Sequence, residues 1–173
     1  MMRFFASLAV LMLLAGVAFA QDFTARNQIG LYVSETPASE DDASTVSTSG
    51  LVQVYLVINN PWNTNRDQAI TNMGGYELTL EFPGGWAIFG DISTPPNTVN
   101  LSDIGYPEFF VTGTFPTSGG TFTTLASFQM ANFVAQPGHI YMVPIRLPSI
   151  PDAIAITDAD YDFELLRAYP ANG

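Results

Sequence analysis

The chain has 173 residues, of which 47% are hydrophobic, with sixteen Asp and Glu, one His, no Cys and a formal net charge of −11. All five basic residues are Arg, so chemistry that needs a Lys amine is excluded. An acidic chain repels nucleic acid and anionic lipid, and we expect neither as a partner.

The first twenty residues have the layout of a secretory signal peptide. Arg3 precedes an apolar run, residues 4–17, and an Ala-Phe-Ala cleavage site ends at Ala20. The run is shorter than the about 20 apolar residues that a membrane span needs. An uncleaved anchor is the alternative. We predict a bacterial exported protein, extracellular or periplasmic, in which residues 21–173 form a single domain with no membrane span.

A period of two dominates the remaining sequence. Segment 51–58 is apolar on both faces, which predicts a central strand covered on both sides. Segment 75–82 alternates, so its aromatic and aliphatic side chains are predicted to point inward and Glu77, Thr79 and Glu81 to face water. Further strands are predicted at 27–33, 86–92, 109–112, 122–133, 140–147 and 161–166.

Clusters of Pro and Gly separate these strands. Twelve Pro and fourteen Gly leave no window for a long amphipathic helix after the apolar N-terminal run. Many short strands divided by turn residues are typical of a sandwich or a barrel. The sequence therefore predicts an all-β protein, an antiparallel, jelly-roll-like β-sandwich of about eight or nine strands.

The stretch 157–166 carries an acid at every second position. As a strand it would bury Tyr161, Phe163 and Leu165 and expose Asp160, Asp162 and Glu164, which is the interpretation that we favour.

Calcium binding is the alternative for this stretch. A helix-loop-helix calcium loop fails here, because Phe163 replaces the required Gly and Tyr169 replaces the Glu at the twelfth position. A looser calcium site formed by Asp158, Asp160 and Asp162 stays open, since carboxylates two residues apart on a strand are separated by about 6.6 Å.

No catalytic set is visible in the sequence. His139 is the only imidazole, no Gly-x-Ser-x-Gly motif occurs, and one His without Cys gives no ordinary zinc site. Glu77 and Glu81 would lie about 13 Å apart on one strand, beyond the spacing of a glycoside hydrolase pair. Acid pairs from different strands stay open. We predict that the protein is not an enzyme.

The loop 59–67 has the composition of a sugar-binding site. An indole can stack on a pyranose ring while amides bond its hydroxyls. The alternative, which we favour, is that the indole folds back and plugs the end of the sandwich. The candidate ligand-binding residues are Asn60, Trp62, Asn63, Asn65, Arg66 and Asp67.

Two stretches resemble the cohesin-type and carbohydrate-binding-module-like sandwiches of bacterial extracellular proteins. One joins the strand 49–57, through a polar loop, to the Gly-aromatic-x-apolar-x-apolar run 73–82, and the other is 120–128 followed by 137–140. The run 83–85 departs from this pattern, because the family carries an Asp-containing turn there. The resemblance implies a nine-stranded jelly-roll-like sandwich with a binding role, and it transfers no site residue.

These observations favour a non-enzymatic binding module for a protein or glycan at or outside the cell surface. The first alternative is an oligomeric subunit of an extracellular assembly, in which strands 51–58 and 125–133 pair between chains through their edges. The second alternative is a secreted glycosidase.

Overall fold

The computed structural model describes residues 25–35, 37, 50–102, 107–118 and 122–171. The predicted signal peptide, residues 1–20, lies outside the described residues. No helix within the described ranges has the length and apolar character that crossing a membrane would require.

Within these ranges the chain forms twelve strands and one 3₁₀ turn. Eight strands are five residues or longer: β1 (Gln28–Tyr32), β2 (Gly50–Asn59), β5 (Asn72–Glu81), β6 (Trp86–Ser93), β8 (Glu108–Pro116), β9 (Phe122–Asn132), β11 (Ile154–Asp158) and β12 (Glu164–Pro170). Four are short: β3 (Trp62–Asn63), β4 (Gln68–Ala69), β7 (Thr98–Asn100) and β10 (Tyr141–Val143). The 3₁₀ turn is Ala159–Tyr161.

The long strands form one curled sheet that folds over itself into two layers. The strand order is β6-β9-β2-β1-β12-β11-β5-β8-β7, and β10 pairs with β5. Strands β6, β9, β2 and β1 form the first layer, and β12 to β7 form the second. The two layers join where β1 pairs with β12 in parallel, and all other described pairs are antiparallel. The predicted all-β, sandwich-like class is confirmed, with this one parallel pair as the exception.

The core lies between the two layers. The ring of Phe109 on β8 packs 6.0 Å, centroid to centroid, from the ring of Phe128 on β9. The Tyr76 hydroxyl on β5 donates a 2.6 Å hydrogen bond to the Leu125 carbonyl on β9. Because Tyr76 is enclosed, desolvation raises the pKa of its phenol far above the ordinary value of 10.0.

Strand β5 is covered on both faces, which corrects one sequence prediction. Glu77 and Thr79, which were predicted to face water, are 3% and 8% exposed. The segment between β10 and β11 crosses over the outer face, where the Ser149 backbone N–H and hydroxyl donate to the two oxygens of Glu77 at 2.6 and 2.8 Å. The alternation of residues along one strand cannot predict that a segment 72 residues away in the chain covers its outer face.

The end of the chain differs from the predicted strand 161–166. Residues 159–161 form the 3₁₀ turn, and Asp162 and Phe163 both adopt left-handed backbone angles, with φ of 53° and 57°. This turn reverses the inward face of the strand that follows. Leu166 is therefore buried, whereas Phe163 and Leu165 are 51% and 44% exposed.

The two strands on which the assembly alternative was based pair with each other within the chain. Strands β2 and β9 pair with each other over Gly50–Asn59. The other edge of β2 pairs with β1 over residues 55–59, and the other edge of β9 pairs with β6 over residues 127–132. The remaining part of each outer edge has no partner among the described strands.

Two further strand predictions are revised. The predicted strand 140–147 is only Tyr141–Val143, because Pro144 has no N–H to donate. Strand β11, which is central in the second layer, was not predicted at all.

Candidate functional site

The two regions singled out in the sequence meet at one end of the sandwich. The β3–β4 hairpin carries the candidate sugar-binding residues, and the β11–β12 turn carries the acids. Side-chain hydrogen bonds join them across about a hundred residues of chain, and we call this contact the hairpin junction. Its central residues are Asn63, Asn65, Arg66, Asp158 and Glu164.

Asn63 is the centre of the hairpin junction. Its side-chain nitrogen donates to Asp158 at 2.8 Å and to Glu164 at 2.9 Å. Its side-chain oxygen accepts from the backbone N–H groups of Asn65 and Arg66 at 3.1 and 3.2 Å. The Asn63 side chain is fully buried, and these bonds satisfy both its donor and its acceptor atoms.

Glu164 is held by three side chains of the β3–β4 hairpin. The amides of Asn63 and Asn65 donate to it at 2.9 and 3.0 Å, and the Arg66 guanidinium donates at 3.0 Å. These hydrogen bonds lower the pKa of Glu164, and the bond from Asn63 has the largest effect. The carboxylate therefore stays ionised as a fixed acceptor.

Asp160 is anchored to Thr71 and to Asn72, the first residue of β5. The Thr71 hydroxyl donates to one carboxylate oxygen, and the Asn72 amide donates to the other at 2.9 Å. The hydrogen bonds from Thr71 and Asn72 lower the pKa of Asp160, and the bond from Thr71 has the larger effect. Its own backbone N–H donates to Asp158 at 3.1 Å, which is an N-cap of the 3₁₀ turn.

Two cation–aromatic pairs lie beside this network. The Arg26 guanidinium carbon lies 3.9 Å from the ring centroid of Trp62, and that of Arg66 lies 4.2 Å from the ring of Tyr161. Asp67 joins the first pair, because it accepts from Arg26 at 2.9 Å and from the indole N–H at 3.2 Å. The side chains of Arg26 and Arg66 are 45% and 48% exposed.

The backbone of Trp62 is fixed by Asn27. The Asn27 amide accepts from the Trp62 N–H at 2.6 Å and donates to its carbonyl at 2.9 Å. Asn27 is fully buried and has a left-handed φ of 58°, a conformation that Asn adopts more readily than most residues. The indole is half-buried and lies outside the hydrophobic core.

Five of the six predicted ligand-binding residues lie together in the structure. Trp62, Asn63, Asn65, Arg66 and Asp67 all take part in the polar contacts at this end. Asn60 accepts through its backbone carbonyl from the Asn27 N–H at 3.2 Å, and no hydrogen bond of its side chain to a described residue is seen.

The predicted calcium ligands are not brought into one cluster. Asp158 is buried, Asp160 faces Thr71 and Asn72, and Asp162 is exposed with left-handed backbone angles. Among the described residues, no three His, Asp or Glu side chains are arranged to hold a metal ion.

The carboxylate pair of Asp158 and Glu164 has the wrong surroundings for glycoside hydrolysis. The two acids come from different strands, as that alternative requires, but the Asn63 amide fills the space between them. A glycosidic bond has to occupy that space for either carboxylate to act on it.

Several residues of this site were not predicted from the sequence. Arg26 lies 36 positions before Trp62 in the sequence, and Thr71 and Asn72 lie almost ninety before Asp160, so no local spacing signals these pairs. Tyr161 was predicted to face the core, and its displacement into the 3₁₀ turn puts it beside Arg66.

The fold and this site define a small all-β protein with a polar and aromatic surface at one end of the sandwich. Comparison of the chain with models of known protein families, with curated proteins and with solved structures found no match.

Proposed function

We propose that the protein is an exported, non-enzymatic binding module that recognises a protein or a glycan at or outside the cell surface. The observation that supports this most is the pair of cation–aromatic contacts at the open end of the sandwich. Arg26 with Trp62 and Arg66 with Tyr161 present planar groups beside amides and carboxylates, and we call these four residues the stacked surface.

The stacked surface is held by hydrogen bonds and is partly accessible. Asn27 fixes the Trp62 backbone on both sides, and Glu164 holds Arg66, so little conformational entropy remains to be lost when a ligand binds. Rings and guanidinium groups supply apolar contact area together with directional hydrogen bonds. Such a combination suits either a sugar ring or a protein surface.

The carboxylates beneath the stacked surface support binding rather than catalysis. Asp158, Asp160 and Glu164 accept hydrogen bonds from neighbouring amides, a hydroxyl or a guanidinium. The lowered pKa values of Asp160 and Glu164 favour the ionised form, which has no proton to donate as a general acid. Acids held in this way position loops.

Fluorescence of Trp62 provides the test. The chain has two Trp residues, so Trp86→Phe leaves the Trp62 indole as the only one. A glycan array and immobilised surface proteins are screened with the full chain, and each hit is titrated against Trp86→Phe. We expect a saturable change in Trp62 emission and loss of binding in Trp62→Ala.

The matched control is Phe133→Ala, which removes a 69% exposed ring at the opposite end of β9. Loss of binding in Phe133→Ala but not in Trp62→Ala contradicts the proposed surface. A hydrolase activity that disappears on substitution of Glu164 contradicts the proposed class.

A second candidate function is a subunit of an extracellular assembly, and one observation favours it. Strand β7 is an end strand of the described sheet, and Val99 and the following Leu101 are 58% and 56% exposed. Apolar side chains on a free edge are suited to pairing with another strand. Light scattering of wild type and Leu101→Lys at high concentration distinguishes the two functions, because only the assembly predicts an oligomer that the substitution dissociates.

A further inference from the structure

A cavity of about 240 Å³ opens on the outer face of the second layer, beside the β11–β12 turn. Gly74 and Gly75 of β5 form its floor. Phe110 stands on one side, and Phe163 and Leu165 stand on the other, all three at least 40% exposed.

The backbone builds this cavity by unusual means. A Cβ on Gly74 would overlap the Phe163 ring and approach the Thr157 hydroxyl to 2.7 Å, so only Gly lets the ring lie this close to the strand. Phe163 projects over it from a left-handed backbone with φ of 57°, which is uncommon for a bulky side chain. Strained residues of this kind tend to cluster at ligand sites.

The lining is electronegative. Glu77 is one of the lining residues and is 3% exposed, and within the described part of the chain its carboxylate makes no ion pair. The Thr157 hydroxyl is buried and has no hydrogen-bond partner there. Phe110 and Phe163 contribute aromatic rings, whose faces carry partial negative charge.

Two cations lie on the same sheet face. Arg146 is paired with Glu108, which lies opposite Thr79 on that face. Arg167 pairs with Ala155, and Ala155 pairs with Glu77, so the Arg167 guanidinium belongs to a strand about 10 Å from β5 at the usual strand spacing. The Glu77 carboxylate therefore has no ion-pair partner among the described residues.

We infer that this cavity receives a single basic side chain, Lys or Arg, from a partner protein. The inference rests on the proposed binding function and identifies its partner as a protein. An alkyl stem fits between the rings and Leu165, and the charged head comes close to the rings, the Thr157 hydroxyl and the field of Glu77. The volume suits one side chain, since pockets for drug-sized ligands begin at about 300 Å³.

The burial of Glu77 favours a cation over a neutral ring. A sugar hydroxyl gains from a carboxylate only by direct hydrogen bonding, and Ser149 already covers both oxygens of Glu77. A cation gains without contact, because Coulomb attraction acts over several Å where water is partly excluded. The acidic character of the whole chain attracts the same partner.

Amide NMR shifts of the isotope-labelled full chain test the inference. The probes are acetylated, amidated Gly-Lys-Gly, Gly-Arg-Gly and Gly-norleucine-Gly peptides, together with methyl glucoside. We expect the Lys and Arg peptides to shift the amides of Gly74, Gly75 and Phe163 saturably, and the two neutral probes to leave them unchanged.

Glu77→Gln should weaken binding of the basic peptides by about tenfold, because it removes the buried charge and keeps the shape. Glu81→Gln, an exposed acid on the same strand, changes the net charge equally and should have little effect. Phe163→Leu, at a half-exposed site, removes one ring and gives a second variant should Glu77→Gln unfold.

Equal binding of the norleucine and Lys peptides, stronger binding of the glucoside, equal weakening by both Glu substitutions, or no shift with any probe overturns the inference. The Trp62 titration is a separate measurement. A ligand that acts on Trp62 while the cavity stays silent preserves the proposed function and rejects this site.

Discussion

The side-chain amide of Asn63 and the carboxylate of Asp158, 95 residues apart, form a 2.8 Å hydrogen bond in which both residues are almost completely buried. This bond fastens the β3–β4 hairpin to the β11–β12 turn. The acids that resemble an independent site in the sequence therefore act as anchors for the stacked surface.

Asn63→Ala should destabilise the fold by about 2–3 kcal/mol, because it leaves the buried Asp158 without its side-chain donor. Asn65→Ala removes an exposed donor to the same network and should cost less than about 1 kcal/mol. Urea unfolding of both variants and wild type measures the difference. Equal losses would show that Asn63 is no more important than its exposed neighbour.

The fold should lose stability as the pH falls below about 4.5, the ordinary pKa of Glu. The pKa values of Glu164 and Asp160 are lowered in the folded state, so their contributions are present above the unfolded pKa and disappear as protons bind. Melting temperatures between pH 7 and pH 2.5 test this dependence. Glu164→Gln should reduce the fall in melting temperature at acid pH. Asp91→Asn, on the exposed part of β6, should leave that fall unchanged.

Gly74→Ala should destabilise the protein by about 1–3 kcal/mol, because its Cβ overlaps the Phe163 ring. Gly84→Ala is the matched control, since an added Cβ there meets nothing within 4 Å. The double variant Gly74→Ala, Phe163→Ala should recover part of the loss. Thermal unfolding of wild type, Gly74→Ala, Phe163→Ala and the double variant measures the coupling between the two positions. Additive losses would mean that the ring and the glycine do not interact.

Tyr76→Phe should cost about 1 kcal/mol, because it removes the bond to the Leu125 carbonyl across the core. Tyr169→Phe, whose side chain is 54% exposed, should be neutral. Because burial raises the pKa of Tyr76, its contribution is complete below the unfolded pKa of about 10 and is lost at higher pH. A stability curve from pH 8 to pH 11.5 should therefore fall more steeply in wild type than in Tyr76→Phe.

The strand pattern shows how far local sequence reaches. Segments 51–58 and 122–133 were predicted as strands because their alternation and apolar content are local properties. Their pairing with each other was not predicted, because register and neighbours depend on which segments meet. The same limit applies to Glu77, since its burial is caused by Ser149 from a distant segment.

The candidate site divides in the same way. The loop 59–67 was singled out because its residue types have binding chemistry wherever they lie. Its union with the acids of the β11–β12 turn, its pairing with Arg26, and the cavity under Phe163 depend on contacts between distant residues. They also depend on the left-handed angles at Asp162 and Phe163, which no pattern of apolar residues indicates.

The sequence by itself determined the all-β class and the approximate positions of most of the long strands, because side-chain alternation is a property of neighbouring residues. Tertiary structure alone decided which strands are interior, which acids are buried and which loops share an end of the sandwich. The physical reason is that burial and charge pairing depend on distances through space, and chain folding sets those distances independently of separation along the sequence.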